Sequence, residues 1–270
     1  MVIDPREARG VSIRHLLVTL AVILGPGAAA ALQPAAITVA GATSLLPYAR
    51  AVIGQWSRDN PSTRVALTGG GSLGGWYALR LGRADIALSD IPFSPGTALK
   101  ELPIGKMPVL LVINRQAGVS NLTMGALRRV WRGQVRRWSQ LGGRKAAVRL
   151  VVRQAGSGAR HVIDARLGAP APDVLQIVQL SNGAVVRTVS EMPGAVGYVE
   201  GDRPWLGVVV CRIDGQAYRP GGPWPLYALP RLYFPASAGP AIWSLSHALA
   251  SSPRKTGFGI VPAARRRFGG

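Results

Sequence analysis

The sequence predicts an α/β fold. Short apolar runs alternate with segments of helical period, two of those runs are apolar enough for strands buried on both faces, and small residues recur where a run ends and a helix begins. Ile37–Ala40 (ITVA) is the first strand, followed by apolar residues at helical spacing, Leu45, Ala49, Val52, Ile53 and Trp56. Arg64–Thr68 (RVALT) is the second strand. A second helix is expected over Gly74–Leu81, with Ser72 as its N-cap. Ala84–Ser89 (ADIALS) is the third strand, and Val109–Ile113 and Val148–Val152 are the buried runs. Pro and Gly cluster at 220–225 and 235–240, as loops require. No internal repeat or low-complexity linker is visible.

The chain has 270 residues, 48% hydrophobic and 16% charged, a globular composition long enough for one large domain or two lobes. Residues 1–36 read as an export signal: Arg6, Arg9 and Arg14, then the apolar Leu16–Leu24, then small residues. The apolar run is too short to span a bilayer, which takes about 20 residues. No twin arginine precedes it and no cysteine follows it, so the general secretory route is expected and a lipoprotein anchor is not. The protein is therefore expected to be periplasmic or secreted. Cys211 is the only cysteine, which excludes an internal disulfide, and His15, His161 and His247 have no spacing that suits a metal. No metal and no cofactor is expected.

The net charge is +20, and +19 once the three basic and two acidic residues of 1–36 are removed. From Leu102 to Ile163 there are twelve Lys and Arg and no acid in 62 residues. Base-composition bias would raise arginine without emptying such a stretch of acids, so one basic, anion-attracting face is expected. Within it Arg128, Arg129, Arg132, Arg136, Arg137, Arg144, Lys145 and Arg149 are interleaved with Trp131 and Trp138. Such a pattern can mark a nucleic-acid surface, but a solvated face is the expectation here. For an exported chain the anionic partners would be lipids or surface polymers, not nucleic acid.

Four segments carry chemistry. They are Gly41-Ala42-Thr43-Ser44, Gly69 to Gly75 (GGGSLGG), Ser89-Asp90, and Arg153 to Arg160 (RQAGSGAR). Each follows a strand, and three open a helix. Helix N-termini present unpaired N–H groups and partial positive charge, and small residues let an anion reach them. With Arg153 they would surround a tetrahedral oxyanion. Asp90 repels an anion unless the anion brings a proton, so it would discriminate between hydrogen-bearing and bare oxyanions.

Two other readings use the same residues. Gly69-x-Gly71-x-x-Gly74 with Asp90 further on matches a dinucleotide fingerprint, but leaves the Arg153–Arg160 loop unexplained. Ser157 four residues before His161 would fit a hydrolase, but Ala155 and Ala159 stand where a nucleophile elbow needs glycine, and no carboxylate is evident to orient the histidine.

In order and spacing the four loops, AGATSLLP, TGGGSLGG, ADIALSDIPF and RQAGSGAR, resemble those of the periplasmic phosphate-binding proteins of the high-affinity phosphate ABC transporter. SNLTMGALRRVWRGQVRRWSQLGG, NGAVVRTVSEMPGAVGYV and WPLYALPRLYF are also similar, so the resemblance runs from Ile37 to Pro262. It implies a two-lobed, type II periplasmic-binding-protein (Venus-flytrap) fold with ligand in the interlobe cleft. The first lobe would hold residues 37–108 and 204–262, the second 109–203, and 263–270 would be a basic tail. It implies an exported solute-binding protein, not an enzyme, that captures inorganic phosphate for an ABC permease. The alternative is a sensor or surface module that binds an oxyanion or an anionic polymer without a transport role. The implied phosphate ligands are Thr43, Ser44, Ser72, Asp90, Arg153, Ser157 and Gly158. The sequence departs from the family at Ala159, where threonine is usual and a hydroxyl donor is lost.

Overall fold

A computed structural model describes residues 36–201, 205–252 and 260–262. The expected export signal, Ala36 apart, and the basic tail at 263–270 lie outside these residues. The elements are β1 (Ala36–Gly41), α1 (Leu46–Asp59), β2 (Arg64–Thr68), α2 (Gly71–Arg80), β3 (Ile86–Ser89), β4 (Leu99–Pro103), β5 (Gly105–Asn114), β6 (Asn121–Leu122), α3 (Met124–Trp131), β7 (Arg149–Arg153) and α4 (Gly158–Leu167). They continue with β8 (Gln176–Gln179), α5 (Asn182–Glu191), β9 (Ala195–Glu200), β10 (Val208–Val210), β11 (Arg212–Ile213), β12 (Tyr227–Ala228), β13 (Arg231–Pro235), α6 (Pro240–Ser251) and β14 (Val261–Pro262).

Two main sheets result. One runs β2-β1-β3-β13-β4, with β1 parallel to β2 and β3, and β13 antiparallel to β3 and β4. The other runs β8-β7-β9-β5-β10, with β7 parallel to β8 and β9, and β5 antiparallel to β9 and β10. The two share one order: three parallel strands with the earliest in the middle, then one antiparallel strand and an edge. β5 is buried along its length except at Lys106, as its apolar run requires.

Each sheet has its own core. The first joins Val39, Ile86, Leu88, Leu232 and Phe234 to the buried face of α1 and to Leu245 and Leu249 of α6. α1 is pinned on α6 by polar contacts as well. The Tyr48 hydroxyl donates to the Leu249 carbonyl, and Trp56 Nε1 donates to Ser244 Oγ at 2.9 Å. The second core gathers β5, β7 and β9 with Leu127, Val130 and Trp131 of α3, Ile163 and Leu167 of α4, and Val185 and Val189 of α5.

The expected return to the first lobe after residue 204 is corrected by this packing. Val208–Val210 pairs with β5, and Trp224 Nε1 donates to the Val109 carbonyl at 3.1 Å. Val208, Trp224, Leu226 and Ala228 all join the second core. Leu232 is the next buried residue in the first core, so the chain returns near Pro230. There it meets the outgoing connection: Ile104 N–H and Gly105 N–H donate to the Pro230 carbonyl at 2.9 and 3.3 Å.

Glycine is required where α2 lies on β1. A methyl on Gly75 would sit 2.4 Å from Gly41 Cα and 2.7 Å from the Ala40 carbonyl oxygen. Gly75→Ala should therefore destabilise the protein by about 1–3 kcal/mol, the usual cost of overpacking. The check is the urea midpoint; an unchanged midpoint would show that α2 can lift off β1 without loss.

Candidate oxyanion-binding site

The loops that follow the parallel strands converge at the carboxyl ends of both sheets, the usual ligand position in open α/β sheets. After β1 come Thr43 and Ser44; after β2, the start of α2; after β3, Asp90. From the second sheet come Arg153 at the end of β7, Ser157 and Gly158 at the start of α4, and Glu200 at the end of β9. Asp90, Arg153, Ser72, Ser157 and Glu200 are each no more than 4% exposed.

Asp90 is the centre of the first group. The Ser44 hydroxyl donates to its Oδ2 at 2.5 Å, and its backbone N–H donates to Ser72 Oγ at 3.0 Å. Ser72 is thus not the expected N-cap. It lies inside the first turn of α2, whose cap position is Gly70. Gly70 and Gly71 both have positive φ, so the glycine run starts the helix three residues earlier than apolar periodicity marks. Because it accepts from Asp90, Ser72 keeps its own hydrogen to donate.

Arg153 anchors the second group. Its Nη1 donates to Asn182 Oδ1 at 2.8 Å and lies 3.9 Å from Glu200 Oε2. Its Nη2 donates to the Leu180 carbonyl at 3.2 Å and, across the gap between sheets, to Thr43 Oγ1 at 3.3 Å. The Tyr198 hydroxyl accepts from the Arg153 backbone N–H at 3.0 Å. Ser157 caps α4, its side chain accepting from Arg160 N–H at 3.5 Å. Gly158 follows, and the Asp90 side chain is pressed against it: a Cβ there would stand 2.0 Å from Asp90 Cβ. The seven residues singled out in the sequence therefore gather at one place, five of them buried and Thr43 and Ser44 half-buried.

Asn182, Glu200 and Gln154, whose Oε1 accepts from Arg153 Nε at 3.3 Å, were not singled out. Asn182 holds Arg153 on one side and the Glu200 backbone on the other. The only signal for Glu200 was an acid closing a wholly apolar strand in an acid-poor chain. Burial pushes the Asp90 carboxyl up to about 6, against the opposing pull of Ser44, Glu200 and Arg153. Burial, then the Asp90 charge, holds Glu200 well above the usual carboxylate range, with Arg153 opposing. Asp90 Oδ1 and Glu200 Oε1 are buried without a hydrogen-bond partner.

The competing readings do not fit this geometry. Asp90 packs against Gly158 at the start of α4, in the loop that a dinucleotide site leaves unexplained. The His161 side chain is exposed, whereas Ser157 is buried at the α4 cap. The interleaved Trp131 and Trp138 are fully buried in the second core, so they give the eight exposed basic residues no aromatic platform. Among the described residues no cluster of His, Cys, Asp and Glu could hold a metal, and no helix is long and apolar enough to cross a membrane.

A family profile described as a PBP superfamily domain matches residues 28–207. The chain belongs to the PBP superfamily. One superfamily relative, the phosphate-binding protein PstS of Bacillus subtilis (strain 168), is 24% identical over 168 residues, 60% of this chain. The chain spans 56% of that relative's length. Among solved structures, a candidate phosphate ABC transporter substrate-binding protein from Clostridium perfringens with bound phosphate superposes with a TM-score of 0.71 at 20% identity. It covers 79% of this chain and 92% of its own. An ABC-type phosphate transport receptor from Vibrio cholerae gives 0.68 at 24% identity, covering 84% and 100%. The fold is the type II, two-lobed PBP fold.

The raised Asp90 carboxyl has a consequence for stability. A group whose folded pKa exceeds its unfolded value stabilises the fold below the unfolded value and loses that contribution as pH rises through the folded one. For Asp90 that window runs from 3.8 to about 6. In anion-free buffer, Asp90→Asn should gain melting temperature relative to wild type as pH rises across it. Parallel melting curves at both ends would show that the carboxyl is not desolvated.

Proposed function

We propose that this chain is an exported receptor that captures inorganic phosphate, periplasmic or secreted, and hands it to an ABC permease; it is a binding protein and not an enzyme. One observation carries the reading: a buried aspartate faces a buried arginine and the start of α4, with Ser44 and Ser72 around it and one carboxylate oxygen left without a donor. Monohydrogen phosphate supplies that donor and sulfate does not. The proposed ligands are Thr43, Ser44, Ser72, Asp90 and Arg153, with the Ser157–Gly158 start of α4. Ser72 would donate its hydroxyl, Ser44, whose hydroxyl is given to Asp90, its backbone N–H, Arg153 a planar pair of N–H groups, and Gly158 its backbone N–H at the positive end of the helix. Loops from both sheets reach the same cluster, so the anion would bridge them and favour the closed arrangement. The exposed basic face would raise the local concentration of anions. The phosphate named for the PstS relative and for the two receptors supports the same choice.

Calorimetric titration of phosphate-stripped protein tests the ligands. Arg153→Ala should lose about 2 kcal/mol of binding, about 30-fold in affinity, as expected for a hydrogen bond to a charged group. Ser72→Ala should lose less, because backbone or water can replace one hydroxyl. Equal affinities in two folded variants would remove Arg153 from the site.

Selectivity tests Asp90. Asp90→Asn removes the charge and adds a donor, so sulfate should gain on phosphate by at least about tenfold, the scale of one unpaired buried group. Phosphate and sulfate titrations of both proteins at one pH give the ratio. An unchanged ratio would leave Asp90 as a turn residue.

A further inference from the structure

Glu200 closes β9, a strand buried from end to end, and is itself 4% exposed. Its backbone is fixed by Asn182, whose Nδ2 donates to the Glu200 carbonyl at 3.1 Å and whose Oδ1 accepts from the Glu200 N–H at 3.3 Å. One carboxylate oxygen lies 3.9 Å from Arg153 Nη1, too far for a direct hydrogen bond. The other has no partner, like the free oxygen of Asp90. The third buried carboxylate oxygen without a partner among the described residues, Asp164 Oδ1, belongs to a side chain already paired with Arg160.

The charged groups that face one another here are Asp90 from the turn after β3, Arg153 from β7 and Glu200 from β9. Around them stand the uncharged Ser44, Asn182 and Tyr198. Two carboxylates against one guanidinium leave a surplus negative charge out of contact with water. A site for an anion needs the reverse. Asp90 alone against Arg153 would be balanced, and a single proton on the anion would then suffice. Glu200 adds a charge that only a second proton removes. Burial holds both carboxyls above their ordinary range, and the Asp90 charge adds to it at Glu200.

We propose that Glu200 is a second ligand-facing carboxyl of this site: with Asp90 it forms a pair that takes up a proton when the oxyanion binds, and so favours hydrogen-bearing forms of the anion. This rests on the oxyanion reading above. In the bound state one proton lies between the anion and Asp90, and a further one between Glu200 and its neighbours. Because the complex then holds more protons than its separated parts, affinity falls as pH rises.

The test is calorimetry with inorganic phosphate on wild type, Glu200→Gln and Glu200→Asp, between about pH 6 and about pH 8, in buffers of different ionisation heat. Protons taken up per phosphate are counted after subtracting those that free phosphate already carries. Wild type and Glu200→Asp should take up a proton that Glu200→Gln does not. Wild-type affinity should fall more steeply with pH, by up to about tenfold per unit for one linked proton. Glu200→Gln should still bind phosphate, because Asp90 and Arg153 remain. Equal proton counts and equal pH slopes would overturn this inference and leave the phosphate reading intact. If Glu200→Gln does not fold, the wild type decides: no net uptake overturns it. Absence of phosphate binding by every protein at every pH would overturn the phosphate reading and this inference together.

Discussion

The functional architecture depends on one buried arrangement, the Arg153 guanidinium set between Thr43 on one side and Glu200, Asn182 and the Leu180 carbonyl on the other. A buried charge is tolerated only when it is paired and hydrogen-bonded. Those partners come from both sheets, so satisfying this one side chain draws the loops after β1, β7, β8 and β9 to a common point. Asp90 then completes the cluster from β3, held by Ser44 and Ser72 and packed on Gly158. The polar centre is thus also the seam between the two cores.

The rest of the fold exists to aim strand ends at that seam. Both sheets place three parallel strands beside one antiparallel strand, so each delivers several carboxyl-terminal loops to the same side. The apolar cores behind them are separate, and the connections at Ile104–Gly105 and Pro230 are bonded to one another. Two separate cores joined by a paired crossing suit a hinged motion. The basic residues of 128–149 lie on the outer surface, with Trp131 and Trp138 turned inward.

Much of the candidate site was legible in the sequence because its loops follow local patterns. A strand that ends in small and hydroxylic residues before a helix is readable at Gly41–Ser44, Gly69–Gly75 and Arg153–Arg160. Ser89-Asp90 is readable from the apolar strand before it. What was not legible depends on partners distant along the chain. Glu200 is one acid at a strand end, and only the fold places it by Arg153. The start of α2 was misread because a run of glycines has no side chains to show periodicity, and positive φ at Gly70 and Gly71 lets the helix begin early. The return crossing near Pro230 was misplaced because Val208–Val210 and Tyr227–Ala228 are short strands whose sheet is set by pairing with β5. The likeness of the two sheets left no repeat in the sequence, since strand order constrains hydrophobic pattern and not residue identity.

The most direct test of the central claim is a crystal structure of the protein grown with inorganic phosphate. The account predicts one phosphate between the lobes, with oxygens about 3 Å from the Asp90 carboxylate, the Arg153 guanidinium and the Gly158 N–H, the ordinary hydrogen-bond range. Phosphate found only on the exposed arginines of 128–149, with Asp90 and Arg153 still bonded as described, would contradict it.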